Sequence, residues 1–226
     1  MAITRRLQDT INWARQHTEL MPIVGVGGFE NEPALTLCNQ VLQKLLVSSY
    51  PWSFNRATAP TFDTVDRQQD YTVNVADVGW VERAYIIQTN STQDPKPRYE
   101  IEVVQYLPKG FLVSTPVKLA KIEESDTTTT FRLLPIPGTQ TWTVEVEYQK
   151  KPPLKRSLAD TWSPFPDEFA FVYEQAFLAL ALRQKNDPRA NIEEAILLSR
   201  IASALGYDDR AQSHEGFYPE KPILIG

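Results

Sequence analysis

The sequence has few of the residue types from which metal centres and disulfide frameworks are built. It contains one cysteine, Cys38, which excludes an internal disulfide and a zinc site made of cysteines. Its two histidines, His17 and His214, lie near opposite ends of the 226 residues. No spacing of histidine and cysteine therefore predicts a metal site, and we expect neither a metal nor a cofactor.

Long apolar runs and an excess of positive charge are missing as well. No run approaches the roughly 20 apolar residues that span a bilayer. The first residues continue into polar sequence and lack the apolar stretch of a signal peptide. The net charge is -5, from 23 basic and 28 acidic residues, which disfavours sequence-independent binding to nucleic acid. We expect no membrane partner.

Glycine is scarce beside proline, whereas hydrophobic residues are plentiful. Nine glycines against 17 prolines indicate rigid turns and extended segments instead of flexible linkers. Hydrophobic residues make up 42% of the chain and aromatic residues 11%, enough for a buried core, which excludes general disorder. The length suits one large domain or two small ones.

Apolar residues at helical spacing predict two helices in the first part of the chain. Asn31 can cap the second helix, Pro33 suits its first turn, and Pro51 ends it near Tyr50. The first helix would bury Ile3, Leu7, Ile11 and Ala14. The second would bury Leu35, Cys38, Leu42, Leu45 and Leu46.

The middle of the chain changes to the two-residue period of β-strands. About six antiparallel strands are predicted, near residues 71–75, 80–87, 101–103, 117–122, 128–134 and 144–148. Proline-rich segments at residues 94–97 and 135–138 mark turns between them. This number of strands is enough for a small sandwich or barrel.

The last part of the chain returns to helical spacing. Pro166 precedes an acidic first turn, Asp167 and Glu168, which suits the helix dipole. The helix that follows is apolar around its girth, so it must be buried on more than one side. A final helix follows the Asp187-Pro188 break and can end at Gly206. It would bury Ile192, Ala195, Ile196, Ser199, Ala202 and Leu205.

This order of elements predicts an α+β protein. Helices from residues 1–56 and 160–206 would pack into one bundle. An antiparallel β lobe, shaped like a sandwich or barrel and formed by residues 57–159, would be inserted between them. Residues 207–226 would form an extended C-terminal tail.

No group of residues predicts catalysis, and we expect no enzyme. Cys38 lies on an apolar helix stripe, which favours a small core residue over a nucleophile. Glu100 with Glu102, and Glu145 with Glu147, share the polar phase of their strands. Such pairs favour a solvated sheet face over acid–base chemistry.

Two clusters are candidates for contacts. Aromatic residues stand where the helices are expected to meet the sheet: Trp52, Phe54, Trp162 and Phe165. Their favoured role is packing at the junction between the lobes; the alternative is a carbohydrate-binding tail or surface protein that uses the β lobe. A basic cluster lies at the same junction: Lys150, Lys151, Lys155 and Arg156. It can touch DNA phosphates, but in an acidic chain a solvated face or pairing with a neighbouring subunit is favoured.

Several short motifs occur in a defined order. Residues 49–57 include Trp52-Ser53-Phe54 after the second helix, and residues 69–75 and 80–84 lead into the sheet. Phe165-Pro166-Asp167-Glu168-Phe169 then opens the third helix, before the Asp187-Pro188 break and a further Ala-rich helix. This order resembles the W-x-F and P-x-E-F motifs of the head-to-tail adaptor and tail tubular proteins of tailed phages. The resemblance covers most of residues 1–206.

The resemblance implies a structural virion protein, located in the neck or tail and made in the host cytoplasm. Such proteins form a dodecameric ring that docks under the portal, extends the DNA channel and provides the assembly platform for the tail nozzle. The implied partners are the portal protein, the nozzle or another tail protein, and further copies of the chain. DNA would pass without sequence-specific binding, which an acidic wall suits.

The end of the chain is rich in proline and in large apolar residues. The candidate anchors for portal docking are Phe217, Tyr218, Pro219, Pro222, Ile223, Leu224 and Ile225. Exposed apolar residues at the end of a chain are expected to be buried against another surface. The prolines favour an extended chain, which can bind in a groove or add a strand to a sheet edge. Burial within the subunit is the alternative. The resemblance to adaptors, whose C-terminal segments reach along the portal, favours the intermolecular role.

Overall fold

The computed structural model describes residues 2–18, 32–48 and 50–215. The chain divides into two compact units. The helical unit comprises Met1–Leu45, Trp52–Phe54 and Pro153–Gly226, and the sheet unit comprises Leu46–Pro51 and Asn55–Pro152. The segments before and after the sheet unit therefore belong to the same helical unit.

Four α-helices are described: α1 (Leu7–Thr18), α2 (Glu32–Val47), α3 (Ala170–Gln184) and α4 (Ala190–Glu215). A 3₁₀ turn over Asp167–Phe169 leads into α3. α3 lies against both α1 and α4, and most of its side chains are buried, as its apolar girth requires. The packing of all the helices into one bundle stays a prediction.

In the first two helices, one residue of each predicted buried face is not fully buried. Ile3 precedes α1 and is 37% exposed, whereas Leu7, Ile11 and Ala14 are buried as expected. At the start of the helix, the Arg6 backbone N–H donates to the Asp9 carboxylate at 2.9 Å, and the Leu7 N–H donates to the Asp160 carbonyl at 2.9 Å. On the predicted face of α2, Leu35 is only half-buried; the other members, Cys38, Leu42, Leu45 and Leu46, are buried.

The predicted face of α4 is wrong. The residues expected to be buried are exposed, or half-buried at the last position: Ile192, Ala195, Ile196, Ser199, Ala202 and Leu205. The buried residues are Ala190, Leu197, Ile201 and Ala204. The helix carries two apolar stripes, and α3 covers the one that the sequence pattern did not single out.

The end of α4 also differs from the prediction. The helix continues through Gly206 to Glu215, so residues 207–215 do not form an extended tail. A glycine inside a helix costs only about 1 kcal/mol relative to alanine, so the flanking residues can carry the helix through it.

Eight β-strands are described in the sheet unit: β1 (Arg56–Thr58), β2 (Phe62–Asp63), β3 (Asp70–Val73), β4 (Val78–Gln88), β5 (Arg98–Val103), β6 (Lys118–Glu124), β7 (Thr129–Leu134) and β8 (Trp142–Lys150). Seven of them pair in the order β1-β8-β4-β5-β6-β7-β3, and β2 also pairs with β8. The α+β class is confirmed. The strands form one curled sheet, half of a barrel, and the sandwich is not confirmed.

The curl brings distant strands together. Phe62 on β2 stacks on Tyr71 of β3, with 4.9 Å between ring centroids, and lies 6.3 Å from Phe131 of β7. β2 pairs near one end of the strand order, whereas β3 forms the other end. These aromatic rings therefore contact each other across the curled sheet, between strands near opposite ends of the strand order. The buried apolar residues of the strands form the core on the inside of the curl.

The expectation that all strands are antiparallel is wrong at one pair. β5 and β6 run parallel, with Glu102 opposite Lys118 and Val103 opposite Leu119. Parallel neighbours need a crossover connection, and residues 104–117 supply it. The turns predicted at residues 94–97 and 135–138 do lie between strands, before β5 and after β7.

Candidate functional site

The structure divides the predicted basic cluster between the two units. Lys150 and Lys151 belong to the sheet unit, and Lys155 and Arg156 to the helical unit. Lys151 pairs with Glu124 at 2.6 Å, while Lys150 and Arg156 are exposed. Exposed positive charge therefore remains at Lys150 and Arg156.

Lys155 departs from the prediction of a solvated face because it is buried, with 9% exposure. Its backbone is fixed by Asn39, whose Nδ2 donates to the Lys155 carbonyl at 3.0 Å and whose Oδ1 accepts from the Lys155 N–H at 2.8 Å. Loss of hydration lowers the pKa of the Lys155 ammonium, although the nearby Asp160 carboxylate opposes this. This lysine is therefore held inside the helical unit.

The four predicted junction aromatics all lie in the helical unit. Trp52 stacks on Phe54 at 5.4 Å between ring centroids and meets Phe165 edge-on at 5.5 Å. Trp162 stacks on Tyr173 of α3 at 4.6 Å. The structure thus brings Trp52, Phe54 and Phe165 together in one cluster. Their proposed role at a junction between the units stays a prediction.

Hydrogen bonds orient the two tryptophans of this group. The indole N–H of Trp52 donates to the Leu45 carbonyl at 2.9 Å, near the end of α2. The indole N–H of Trp162 donates to the Thr10 hydroxyl of α1 at 2.8 Å. Each ring therefore combines a large buried apolar area with a satisfied polar atom.

The cysteine and the glutamates that the sequence offered for catalysis have structural roles, as a buried core residue and as partners in ion pairs. Burial raises the pKa of the Cys38 thiol to about 12, so the thiolate is strongly disfavoured. Glu145 and Glu147 both face Arg98, at 2.8 and 3.5 Å. Within the described residues, no cluster of three or more His, Cys, Asp or Glu side chains could hold a metal ion.

An exposed apolar segment was missed by the sequence analysis. It lies in the β5–β6 connection, where Phe111 is 96% exposed and Leu112 67%. Tyr106, Val113 and Val117 of the same connection are also exposed. The signal in the sequence is the run Gly110-Phe111-Leu112-Val113, which follows no helix or strand period. We call residues 109–113 the β5–β6 plug.

A cavity opens elsewhere on the sheet unit. Its volume is about 330 Å³, and it is lined by Gly79, Trp80, Val81, Val103, Val104, Gln105 and Lys121. The Lys121 ammonium donates to the carbonyls of Val78 at 2.8 Å and Gly79 at 3.2 Å, which ties β6 to the start of β4 beside the cavity. The indole N–H of Trp80 is buried and has no hydrogen-bond partner among the described residues.

The predicted portal-docking residues, from Phe217 to Ile225, lie outside the described residues. Of the preceding segment, α4 reaches Glu215. None of the helices in the described ranges combines the length and apolar character that crossing a membrane requires.

Comparison with known families decides the class of the protein. The model of the SU10 adaptor protein family matches residues 2–218, which include the whole sheet unit, most of the helical unit and all the described secondary structure. The chain belongs to this family. No curated protein matches the sequence significantly.

The SU10 adaptor family comprises phage head-to-tail adaptors, which agrees with the resemblance found in the motifs. Membership gives the protein a structural role as a phage adaptor in the neck of the virion. It also implies interaction with portal and tail proteins. The surfaces described above are therefore candidate assembly surfaces.

Proposed function

We propose that this SU10 adaptor is the subunit of a dodecameric ring that docks under the portal, extends the DNA channel and carries the tail nozzle. The observation that carries the proposal is the family match over residues 2–218. Ring closure requires that one surface of a subunit contact a different surface of the next.

The exposed apolar residues support a role in assembly. The plug leaves Phe111 and Leu112 uncovered on the sheet unit, and α4 leaves Ile192 62% exposed and Leu198 59% exposed on the helical unit. Large exposed apolar surfaces on a protein are typically covered by a partner. An adaptor that contacts copies of itself, a portal and a nozzle has a use for several such surfaces.

The C-terminal segment is the proposed portal-docking element. Phe217, Tyr218, Ile223, Leu224 and Ile225 supply apolar anchors, and Pro219 and Pro222 limit the conformations that must be ordered on docking. Burial of such a side chain contributes about 1.5–3 kcal/mol, and repetition around a ring multiplies the effect.

Truncation of the chain after Glu215 tests this element. This position keeps all of α4, whereas a stop after Gln212 would remove its last residues. We expect the truncated protein to keep the melting temperature of the full chain and to lose co-sedimentation with the portal of the same phage. A matched control replaces residues 216–226 by a Gly/Ser segment of equal length. A truncated protein that still binds the portal would contradict the assignment.

The charge pattern supports passage of DNA without tight binding. The net charge of -5 disfavours retention of phosphates. Lys150 and Arg156, two exposed members of the basic cluster, are proposed to face acidic groups of the neighbouring subunit. Such contacts steer the docking of subunits more than they strengthen it.

A further inference from the structure

We propose that, in the free subunit, residues 216–226 fold back along α4 and cover an exposed apolar face of this helix. The occupant of the face is therefore a segment of the same chain. The segment leaves α4 when it docks on the portal, and only this second step rests on the proposed function.

One face of α4 is apolar and exposed. Its two largest side chains, Ile192 and Ile196, are 62% and 38% exposed. Three small exposed residues continue the same face at helical spacing, and with the isoleucines they form what we call the α4 stripe: Ile192, Ala195, Ile196, Ser199 and Ala202. The stripe lies on the side of the helix opposite its buried residues, which α3 covers. An apolar face of this length is typically covered by a partner.

The length of chain that follows α4 fits the stripe. The helix ends at Glu215 and rises about 1.5 Å per residue, so Ala202 and Ile196 lie about 20 and 28 Å back along its axis. A proline-rich chain spans about 3.1 Å per residue, which brings residues 223–225 about 22 to 28 Å from residue 216. If the chain reverses after the helix, residues 223–225 are therefore level with the stripe between Ala202 and Ile196.

The composition of the segment suits this path as well. Gly216 directly follows α4, and glycine is the residue type that most readily turns the chain at the end of a helix. Ile223, Leu224 and Ile225 are consecutive, so the segment presents an apolar side to the helix whatever its rotation. Contact with the stripe removes apolar surface of both elements from water, which favours the covered state.

The contact has to be weak, because the portal must take the segment from α4. A preference of about fivefold for the covered state leaves about one subunit in six open. Such a contact adds only about 1 kcal/mol to the free energy of unfolding, so truncation after Glu215 changes the melting temperature little. The portal binds the open form alone, and its apparent Kd is the intrinsic Kd divided by the open fraction.

Cysteine labelling of the free protein tests the cover. Ser199→Cys places a thiol on the stripe, whereas Cys38 is buried with its pKa raised to about 12 and reacts slowly. We expect the new thiol to be labelled about sixfold faster after truncation at Glu215 than in the full chain. Ala159→Cys, at an exposed residue of the same unit outside the stripe, is the control and should be labelled equally in both chains. Equal labelling of Ser199→Cys in the two chains would overturn the inference.

Dilution distinguishes the same chain from a second copy. The protection of Ser199→Cys should be independent of protein concentration, and the additional change Ile225→Ser should reduce it. Protection that disappears on dilution would mean that the segment belongs to another copy, and it would overturn the fold-back.

Competition with the portal supplies a second readout. Ile196→Ser weakens the cover and should lower the apparent Kd for the portal by up to about sixfold, which mere damage to the fold would not do. Ile3→Ser is the matched control, because Ile3 is 37% exposed in the same unit outside the stripe and should leave the Kd unchanged. Unchanged or weaker binding by Ile196→Ser would overturn the competition. If the wild type does not bind the portal, the proposed function fails, and the labelling of Ser199→Cys still decides the fold-back.

Discussion

Arg132 and Asp70 lie directly opposite each other in the β3–β7 ladder and form a bidentate ion pair. The Nε and Nη2 atoms of Arg132 donate to the two carboxylate oxygens at 2.6 and 2.8 Å. Its Nη1 donates to the carbonyl of Leu107 at 3.1 Å, in the connection that carries the plug. One side chain therefore secures both the edge strand β3 and the crossover between β5 and β6.

Arg132→Lys should destabilise the protein. An ammonium group cannot reproduce the fork that reaches both carboxylate oxygens and the Leu107 carbonyl, and the arginine side chain is only 12% exposed. We expect a loss of about 1–3 kcal/mol in the free energy of unfolding, measured by urea denaturation. Arg189→Lys is the control, because the Arg189 side chain in the pair with Asp187 is exposed. This substitution should change the free energy of unfolding by less than about 1 kcal/mol. Equal effects of the two variants would contradict this account.

The same pair predicts a dependence of stability on pH. The Arg132 guanidinium lowers the pKa of the Asp70 carboxyl below its ordinary value. A carboxyl whose pKa is depressed on folding adds stability above its unfolded pKa, and this stability is lost as the pH falls through the folded pKa. We therefore expect wild-type stability to fall on acidification below about pH 4, and Asp70→Asn to show a smaller fall there. Parallel acid profiles for the two proteins would argue against the pair.

Core truncations test whether the two parts of the helical unit unfold together. Leu42 in α2 and Phe177 in α3 are fully buried, although the chain separates them by the whole sheet unit. We expect Leu42→Ala and Phe177→Ala each to cost about 2–5 kcal/mol in one shared transition, measured by calorimetry. Leu198→Ala is the control, since this leucine is 59% exposed. Two variants that shift different transitions would disprove a common helical unit.

Charge reversal tests the electrostatic part of assembly. Lys150→Glu and Arg156→Glu change exposed residues and should leave the melting temperature nearly unchanged. We expect each to slow ring formation with the portal at low salt and to have little effect at high salt, because screening weakens steering. Arg67→Glu, on an exposed residue outside the cluster, should assemble at the wild-type rate. Lys155 is unsuitable for this test because a buried glutamate would disturb the fold.

The order and period of the elements could be predicted from the sequence. The alternation of buried and partly exposed residues in β7 and β8 is a local property, because every second side chain of a strand lies on the same face. The parallel pairing of β5 and β6 is not local. It depends on the path of residues 104–117 across the sheet, and nothing in either strand specifies the direction of its neighbour.

The candidate surfaces were harder to predict, because they depend on which residues stay exposed after the helices and loops have packed. α4 has two apolar stripes, and only the position of α3 decides that Leu197 and Ile201 are buried while Ile192 is exposed. Lys155 belongs to a basic run in the sequence, yet Asn39 holds its backbone inside the helical unit. The exposure of Phe111 likewise follows from the anchoring of its loop at Gln69 and Ile136.

Electron microscopy of the purified protein mixed with the portal of the same phage tests the central claim most directly. The account predicts a ring of twelve subunits stacked coaxially on the portal, with the channel continuous through both. The portal alone and the adaptor alone serve as controls. A wild-type protein that leaves the portal bare, or that binds it without forming a coaxial ring, would contradict the account.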